Sequence, residues 1–322
     1  MKILFFILIS LSLYANDVLT NYRINGIYAI EKQMDLELTQ YNYWFDYIKD
    51  SDTTFGYIES YQNILACNKE KSTLNLYTKD SNKNYSFKEK YSAYIGKVKG
   101  DKIKEGDLKT PIGIYNITKK LSKENKLNSF YGPIAFVTSY PNTYDRYRGK
   151  NGHGIWVHGL PSEQNRDEFT KGCIAINNES IECLDKKINI EKTILIINNN
   201  QIKTQVSKEV LASILSQLYS WRYYWLYDDT DNYLKFYSDK FVRFDGMNID
   251  RFKRYKTRIF KKNEKKTIIF KDINIIPYPN NKKIYQITFH EFYQSNTFLF
   301  TGNKTLLVSL DYNNKMKIIT EK

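Results

Sequence analysis

Cysteine and histidine are scarce in this chain, with three residues of each among 322. An odd number of cysteines leaves at least one thiol outside any disulfide, and Cys173 is our candidate for it. Cys67 and Cys183 could pair with each other, or each could be a small buried hydrophobic residue. No carboxylate stands at the spacing of a His-Glu-x-x-His zinc site, and His153 and His158 would lie on opposite faces of a straight strand. We therefore predict neither a metal ion nor a cofactor.

Long apolar segments are absent after the first fifteen residues, so no later segment is predicted to cross a membrane. Near its start the sequence has the basic residue Lys2, an apolar run over residues 3–13, and the small residue Ala15 before polar residues. The run is short for a membrane span, and this order is typical of a signal peptide, cleaved here near Ala15. An uncleaved anchor is the alternative. We expect a periplasmic protein that is soluble after cleavage.

Acidic residues are outnumbered, 35 against 49 lysines and arginines, which gives a net charge of +14. Such a charge would normally suggest nucleic acid as a partner. Outside the cytoplasm the available polyanions are the cell wall and membrane headgroups, so we predict no nucleic-acid partner. We interpret the excess lysine as a solvated surface, with attraction to an anionic wall as a secondary effect. Nine cations in residues 251–266 are interpreted the same way, with a wall-glycan contact as the alternative.

Length and patterning predict a multidomain chain. Residues 16–65 carry an apolar stripe near the helical period and predict a helical segment, which should pack on the next domain or on a second subunit. Residues 66–200 predict short, mostly antiparallel strands and one helix capped by Asn177 or Asn178, before a linker at 198–201. Residues 205–322 predict an α+β domain with a long helix followed by a curved sheet. The strands are predicted at 74–77, 91–98, 112–118, 134–138, 155–158 and 193–197, then at 267–270, 283–290, 297–300, 304–310 and 316–320.

His158 and Cys173 carry the chemistry. His158 closes an apolar strand, and Cys173 follows after a loop and a glycine, Gly172, which is typical of a Cys/His nucleophilic site. A histidine in contact with a thiol lowers its pKa and later returns the proton to the leaving amine. We expect the N–H groups of Gly172 and Cys173 to face the oxyanion, and the Gly159 carbonyl to fix the imidazole tautomer. The alternative is a buried cysteine and a packed histidine that never meet.

Other residues are candidates for binding the substrate. Trp156 shares a strand face with His158 and is predicted to line the pocket or the core, and His153 is predicted to line the pocket. His290 lies in the last third of the chain and could line a second pocket or be a satisfied core histidine. Loop cations near His158 could bind a carboxylate of the substrate, namely Arg146, Arg148, Lys150 and Arg166.

Two motifs carry a family resemblance. His158-Gly159 with Thr170-Lys171-Gly172-Cys173-Ile174 resembles the signature of L,D-transpeptidase (YkuD-type) catalytic domains, and residues 110–113, Thr-Pro-Ile-Gly, resemble an upstream turn of that family. The resemblance implies a β-sandwich-like fold in which Cys173 is the nucleophile, His158 the base and Gly159 the orienting carbonyl, with Gly172 in the oxyanion loop. Lys171 stands where the family usually has histidine, and Ala175 where Arg or Asn is usual. Both departures concern acceptor binding and favour hydrolysis, and Lys171 joins the substrate-binding candidates.

Residues 205–322 resemble the NTF2-like fold, and the whole domain order resembles the L,D-carboxypeptidases that set helical cell shape in relatives of Campylobacter and Helicobacter. This resemblance implies removal of the terminal D-alanine from the tetrapeptide stem of peptidoglycan, which leaves a tripeptide. It also implies a homodimer formed through the N-terminal segment. One alternative is an L,D-transpeptidase that forms cross-links or attaches proteins to the wall. An alternative from another class is a non-catalytic wall-binding scaffold.

Overall fold

The computed structural model of the protein describes residues 2–161, 169–200 and 205–322, with side chains from residue 17 onward. The chain begins with two helices, α1 (Lys2–Glu37) and α2 (Tyr41–Ile48). Gly26, with a positive φ of 76°, interrupts the helical geometry of α1. Within the described ranges, no helix is both long and apolar enough to cross a bilayer.

The helical part ends at Ile48, so the prediction of a helical segment up to residue 65 is wrong. The chain then turns and forms two strands, β1 (Tyr57–Ile58) and β2 (Asn63–Asn68). All six residues of β2 are buried. A strand covered on both faces lacks the polar–apolar alternation that separates strands from helices in a sequence, which explains the error.

The region up to residue 198 is built on one curled sheet. Its further elements are β3 (Thr73–Lys79), β4 (Tyr85–Ser92), β5 (Gly113–Ser122), β6 (Ile134–Thr138), α3 (Thr143–Tyr147), β7 (Trp156–His158), β8 (Ile174–Ala175), α4 (Asn178–Lys187) and β9 (Thr193–Asn198). The strand order is β4-β3-β2-β9-β5-β6-β7-β8, with parallel pairs β2–β9 and β7–β8 and antiparallel pairs elsewhere. The start of β5 pairs with β9 and its end with β6, so β5 joins the two halves of the sheet. The mostly-β fold is confirmed.

The last third is α+β, as predicted. Its elements are α5 (Lys208–Leu226), α6 (Thr230–Leu234), α7 (Ile249–Phe260), β10 (Thr267–Pro277), β11 (Ile284–Gln294), β12 (Leu299–Leu310) and β13 (Met316–Glu321). The antiparallel sheet has the order β1-β10-β11-β12-β13, and α5 packs its apolar face on it. The two strands predicted at 297–300 and 304–310 are one strand, β12, because Gly302 keeps its place in the ladder opposite Glu291.

The two sheets share an apolar core. Residues from both halves of the chain are buried in it, among them Ile64, Tyr77, Ile114, Tyr144, Ile276, Tyr278 and Leu307. The strand β1 strengthens the junction, since it precedes the curled sheet in sequence and yet pairs with β10 of the other sheet. The catalytic region and the C-terminal domain are therefore joined by buried contacts as well as by the chain.

Three further questions from the sequence are answered. Of the two alternatives for Cys67 and Cys183, the structure shows the unbridged one, because these two cysteines do not form a disulfide. His290 lies on the outer face of β11, where its ring contacts Thr301 and Asn303 of the next strand, and the neighbouring Glu291 faces inward instead. The cations of residues 251–266 are not all solvated, since two of them are buried, Lys256 and Lys266.

Candidate active site

Pairing of two short strands brings the predicted nucleophile to the predicted base. In the parallel pair β7–β8, Val157 lies opposite Ile174 and His158 opposite Ala175. Cys173 comes immediately before β8 and therefore lies beside Trp156, whose main-chain N–H donates to the cysteine sulfur over 3.4 Å. Alternate residues of a strand share a face, so the side chains of Trp156 and His158 lie on the same face of β7. Both side chains line the same cavity as Cys173.

Two main-chain groups contact the cysteine sulfur, one a hydrogen-bond donor and the other an acceptor. The Trp156 N–H donates to it, and this contact favours the thiolate. The carbonyl oxygen of Gly154 lies 3.3 Å away and accepts the thiol proton, which favours the neutral form. The resting thiol is therefore held in a fixed orientation, and once its proton is removed the sulfur keeps one hydrogen-bond donor.

His158 is buried, with 1% of its surface exposed, and its ring is fixed on two sides. Its Nδ1 atom lies 2.6 Å from the carbonyl oxygen of Gly159. A carbonyl only accepts, so the neutral ring carries its proton on Nδ1 and presents the lone pair of Nε2 as the base. The ring of Tyr131 meets the imidazole edge-on, with 5.0 Å between centroids, and limits its rotation.

Thr170 organises the turn that presents Cys173. Its hydroxyl accepts from the N–H of Gly172 over 3.0 Å and donates to the carbonyl of Cys173 over 2.7 Å. Gly172 has a φ of +132°, and a Cβ there would lie 2.8 Å from the carbonyl oxygen of Lys109, so only glycine fits without strain. The N–H of Gly172 is thus already bonded to Thr170, and the expectation that it faces the oxyanion is wrong.

The site opens into a cavity of about 760 Å³. The cavity contains Cys173 and His158 together with the predicted binding residues His153, Trp156 and Lys171. Its lining combines aromatic and apolar residues with charged ones. The other described residues that line it include Lys102, Glu105, Leu108, Phe130, Tyr131, Ile155, Pro161 and Phe169.

Three of the four loop cations, Arg146, Arg148 and Lys150, lie outside the cavity. Arg146 is exposed and does not line the cavity. Arg148 and Lys150 form ion pairs with Asp101 and Asp145, and neither lines the cavity. Arg166 lies outside the described residues. Their ion pairs therefore separate Arg148 and Lys150 from the substrate-binding role that their position in the sequence suggested.

Two side chains of the cavity, Tyr131 and Lys171, differ in their charge state. Burial raises the pKa of Tyr131, and the nearby Cys173 raises it further, so this hydroxyl stays neutral beside the catalytic pair. Lys171 is exposed, next to Gly172, and is the cation nearest in sequence to the nucleophile. Among the described residues, no group of three or more histidine, cysteine, aspartate or glutamate side chains could hold a metal ion.

Comparison with known proteins agrees with this geometry. A family model of the L,D-transpeptidase catalytic domain matches residues 62–197, which include both motifs, and a model of the Cds6 C-terminal NTF2-like domain matches residues 213–322. The crystal structure of Pgp2 from Campylobacter jejuni, described as a helical cell shape determining protein, is 36% identical in sequence, with a TM-score of 0.79 over 88% of this chain and 99% of that one. The chain belongs to the L,D-transpeptidase family. It carries an NTF2-like domain at its C-terminal end.

Two other proteins are similar over different extents. Bd1075 of Bdellovibrio bacteriovorus is 26% identical, with a TM-score of 0.65 over 85% of this chain and 96% of that one. The putative L,D-transpeptidase YafK of Escherichia coli is 32% identical over 116 residues, which is 35% of this chain and 42% of YafK. The chain thus matches less than half the length of YafK.

Sequence reasoning missed four groups of this L,D-transpeptidase site. Tyr131 lies in a separate short 3-10 helix, and nothing in the local sequence connects it to His158. The Gly154 carbonyl and the Trp156 N–H are main-chain groups, which have no residue signature. The hydroxyl of Thr170 could have been identified, because it stands three residues before Cys173 within the motif and a side-chain oxygen at such a turn commonly bonds to nearby main-chain groups.

Proposed function

We propose that this protein is a peptidoglycan L,D-carboxypeptidase that cleaves the bond between meso-diaminopimelate and the terminal D-alanine of the tetrapeptide stem. The observation that carries the proposal is the orientation of the His158 imidazole by the Gly159 carbonyl, in the cavity that also holds Cys173. The similarity to Pgp2 supports a further role in cell shape.

The first half of the reaction forms a thioester. Nε2 of His158 removes the thiol proton, and Cys173 sulfur attacks the carbonyl carbon at the L-centre of diaminopimelate. The tetrahedral oxyanion is stabilised by main-chain donors, for which the N–H of Cys173 is our candidate. The C–N bond then breaks, and D-alanine leaves as an amine with the proton held by His158.

The second half consumes water. His158, neutral again, removes a proton from a water molecule that attacks the thioester carbonyl, and the C–S bond breaks as the thiol is regenerated. The products are a tripeptide stem and D-alanine. Two residues favour water over an acceptor amine, because Lys171 and Ala175 replace the polar groups that the family usually has beside the nucleophile. A cation at Lys171 would also repel an incoming ammonium group.

Export and assembly belong to the same proposal. The apolar run over residues 3–13 and the small residue Ala15 support cleavage of a signal peptide and a periplasmic site of action. Exposed apolar side chains on α1 support a homodimer through this segment, namely Leu19, Tyr22, Ile24, Ile27 and Tyr28. Light scattering of the chain starting at residue 16 checks the assembly, and a monomer at micromolar concentration would contradict it.

One experiment separates the candidate functions. The chain starting at residue 16 is incubated with disaccharide-tetrapeptide, and the products are analysed by mass spectrometry. Loss of one alanine that disappears in Cys173→Ser supports the carboxypeptidase. Cross-linked dimers of the muropeptide would show a transpeptidase, and bound but unchanged substrate would show a scaffold. Full activity in Cys173→Ser would show that the site is misassigned.

A further inference from the structure

One wall of the catalytic cavity is the segment of residues 95–112, here called the wall segment. It is joined to the nucleophile turn at Thr170, which donates its N–H to the Ile95 carbonyl over 2.7 Å and accepts from the N–H of Lys97 over 3.1 Å. The carbonyl of Lys109 packs on Gly172. Because Thr170 in turn holds the Cys173 carbonyl, a shift of the wall segment moves the nucleophile.

Asp101 fixes the base of the wall segment. One carboxylate oxygen accepts from the N–H of Ile112 over 2.8 Å, and the other lies 2.6 Å from the ammonium of Lys150 and 3.3 Å from the guanidinium of Arg148. The same two cations contact Asp145, whose side chain is fully buried. Two cations and two carboxylates thus balance one another, with Lys150 and Asp145 buried and with Arg148 and Asp101 each 25% exposed. Because the buried pair needs its partners in place, the cluster favours one geometry.

The far side of this charge cluster is closed by the C-terminal domain. Tyr278 follows β10, is 2% exposed, and accepts a hydrogen bond on its hydroxyl from the amide of Asn142 over 3.0 Å. Asn142 is the residue that caps α3 together with Asp145 through a reciprocal pair of bonds. The guanidinium carbon of Arg148 lies 5.5 Å from the centre of the Tyr278 ring. Tyr278 therefore contacts the cluster at two points. Its ring contacts Arg148 directly, and its hydroxyl reaches Asp145 through Asn142.

We propose that Tyr278 of the NTF2-like domain is a positioning residue for the cysteine site, acting through Arg148, Asp145 and Asp101 on the wall segment. It does not line the catalytic cavity. Its effect is to hold the cluster, and with it the wall segment and the Thr170 turn, in the arrangement that orients the thiol. The NTF2-like domain thus completes the catalytic domain. This inference rests on the proposed function only where catalytic turnover is measured.

The test compares Tyr278→Phe, Asp101→Asn and the double variant with Tyr285→Phe in the purified chain. Tyr285 is a buried tyrosine of the same domain whose hydroxyl has no hydrogen-bond partner among the described residues, so it controls for loss of a hydroxyl. The main measurement is the rate of Cys173 alkylation by iodoacetamide from pH 5 to 10, resolved from Cys67 and Cys183 by peptide mass spectrometry. This measurement needs no peptidoglycan.

In Tyr278→Phe we expect alkylation at neutral pH to be roughly three- to tenfold slower, the effect of one lost hydrogen bond. The rate should recover at high pH, where the thiolate forms regardless of orientation. The kcat for tetrapeptide should fall by a similar factor with KM little changed. The effects of Tyr278→Phe and Asp101→Asn on the alkylation rate should be less than additive in the double variant, because both changes weaken the same chain of contacts to the wall segment.

Three results would overturn the proposal. They are a wild-type alkylation profile in Tyr278→Phe, strictly additive effects, and an equal loss in Tyr285→Phe. Thermal unfolding identifies a variant that fails to fold. In that case Asn142→Ser, which keeps a capping hydroxyl, removes the amide bond to Tyr278 together with the bond of the same amide to the Ile114 carbonyl. If the wild-type chain alkylates as expected but trims no tetrapeptide, the carboxypeptidase proposal fails and the positioning role stands.

Discussion

Thr170 and Cys173 form a closed hydrogen-bonded unit. The threonine hydroxyl donates to the cysteine carbonyl over 2.7 Å and accepts from the intervening Gly172 N–H over 3.0 Å. The hydroxyl oxygen of Thr170 therefore bonds to two successive residues of the turn that carries the nucleophile. This arrangement fixes the direction in which the Cys173 side chain leaves the main chain, and it explains why the motif needs a hydroxyl residue three places before the cysteine.

Thr170→Val should lower kcat about 10- to 100-fold, because one buried and one partly buried hydrogen bond are lost while the volume of the side chain is kept. Thr170→Ser is the matched control, since it retains the hydroxyl and should stay within about threefold of wild type. Release of D-alanine from tetrapeptide measures both. Equal rates in the two variants would mean that the hydroxyl does not hold the turn.

Lys171 is exposed at the cavity, next to Gly172, and should bind the carboxylate of the terminal D-alanine. In Lys171→Gln we expect KM to rise about five- to tenfold with little change in kcat, because a charge-assisted hydrogen bond to the substrate is lost. A substrate that ends in D-alanine amide lacks the carboxylate and should be cleaved equally by both proteins.

The matched control for Lys171 is Lys186→Gln, which removes the same charge from an exposed position on α4. It should leave KM unchanged. A rise in KM for the amide substrate as large as that for the free acid would show that Lys171 does not bind the carboxylate.

Position 159 requires glycine, because its surroundings leave no room for a side chain. A Cβ at this position would lie 2.5 Å from the Asn178 side-chain oxygen and 2.9 Å from the ring of Pro133. We expect Gly159→Ala to destabilise the protein by about 1–3 kcal/mol and to lower activity further, because the carbonyl that orients His158 must move. Urea unfolding and D-alanine release measure the two effects. Gly302→Ala is the control, because its neighbour is the tip of a partly exposed Phe300 ring that can move.

Much of the catalytic core could be predicted from local sequence, for a physical reason. The roles that we propose for His158, Gly159 and Cys173 need chemistry that few other residue types provide, so their types and spacing are informative. The helix after the cysteine was also predictable, because Asn177 caps it and Ile181 and Leu184 lie on its buried side. These features depend on neighbours close in sequence.

Features that depend on distant neighbours were missed. The period of two in β11 places His290 and Glu291 on opposite faces, but it does not show which face turns inward. The sequence likewise shows four charges at Asp101, Asp145, Arg148 and Lys150 without showing that they meet. Only the fold decides whether a loop cation faces the substrate or a buried carboxylate.

Lys256 makes the stability of the protein depend on pH in a predictable direction. It is buried on α7, with its ammonium 4.5 Å from the centre of the Trp225 ring, and burial lowers its pKa to about 8 although Glu321 opposes the shift. In the unfolded chain a lysine keeps a pKa of about 10.4, so between pH 8 and 10 the unfolded state binds more protons than the folded state. The contribution of Lys256 to the free energy of unfolding must therefore rise with pH across this window, by at most about 1.4 kcal/mol per pH unit.

Lys256→Met removes this titration and keeps a long apolar side chain. Urea unfolding at pH 7, 8, 9 and 10 should show the free energy of unfolding of wild type rising relative to Lys256→Met as the pH increases. The control is Lys253→Met on the exposed side of α7, whose difference from wild type should not depend on pH in this range. A constant difference between wild type and Lys256→Met would mean that the buried ammonium has an ordinary pKa, because the Trp225 ring and the Glu321 carboxylate would then compensate fully for its burial.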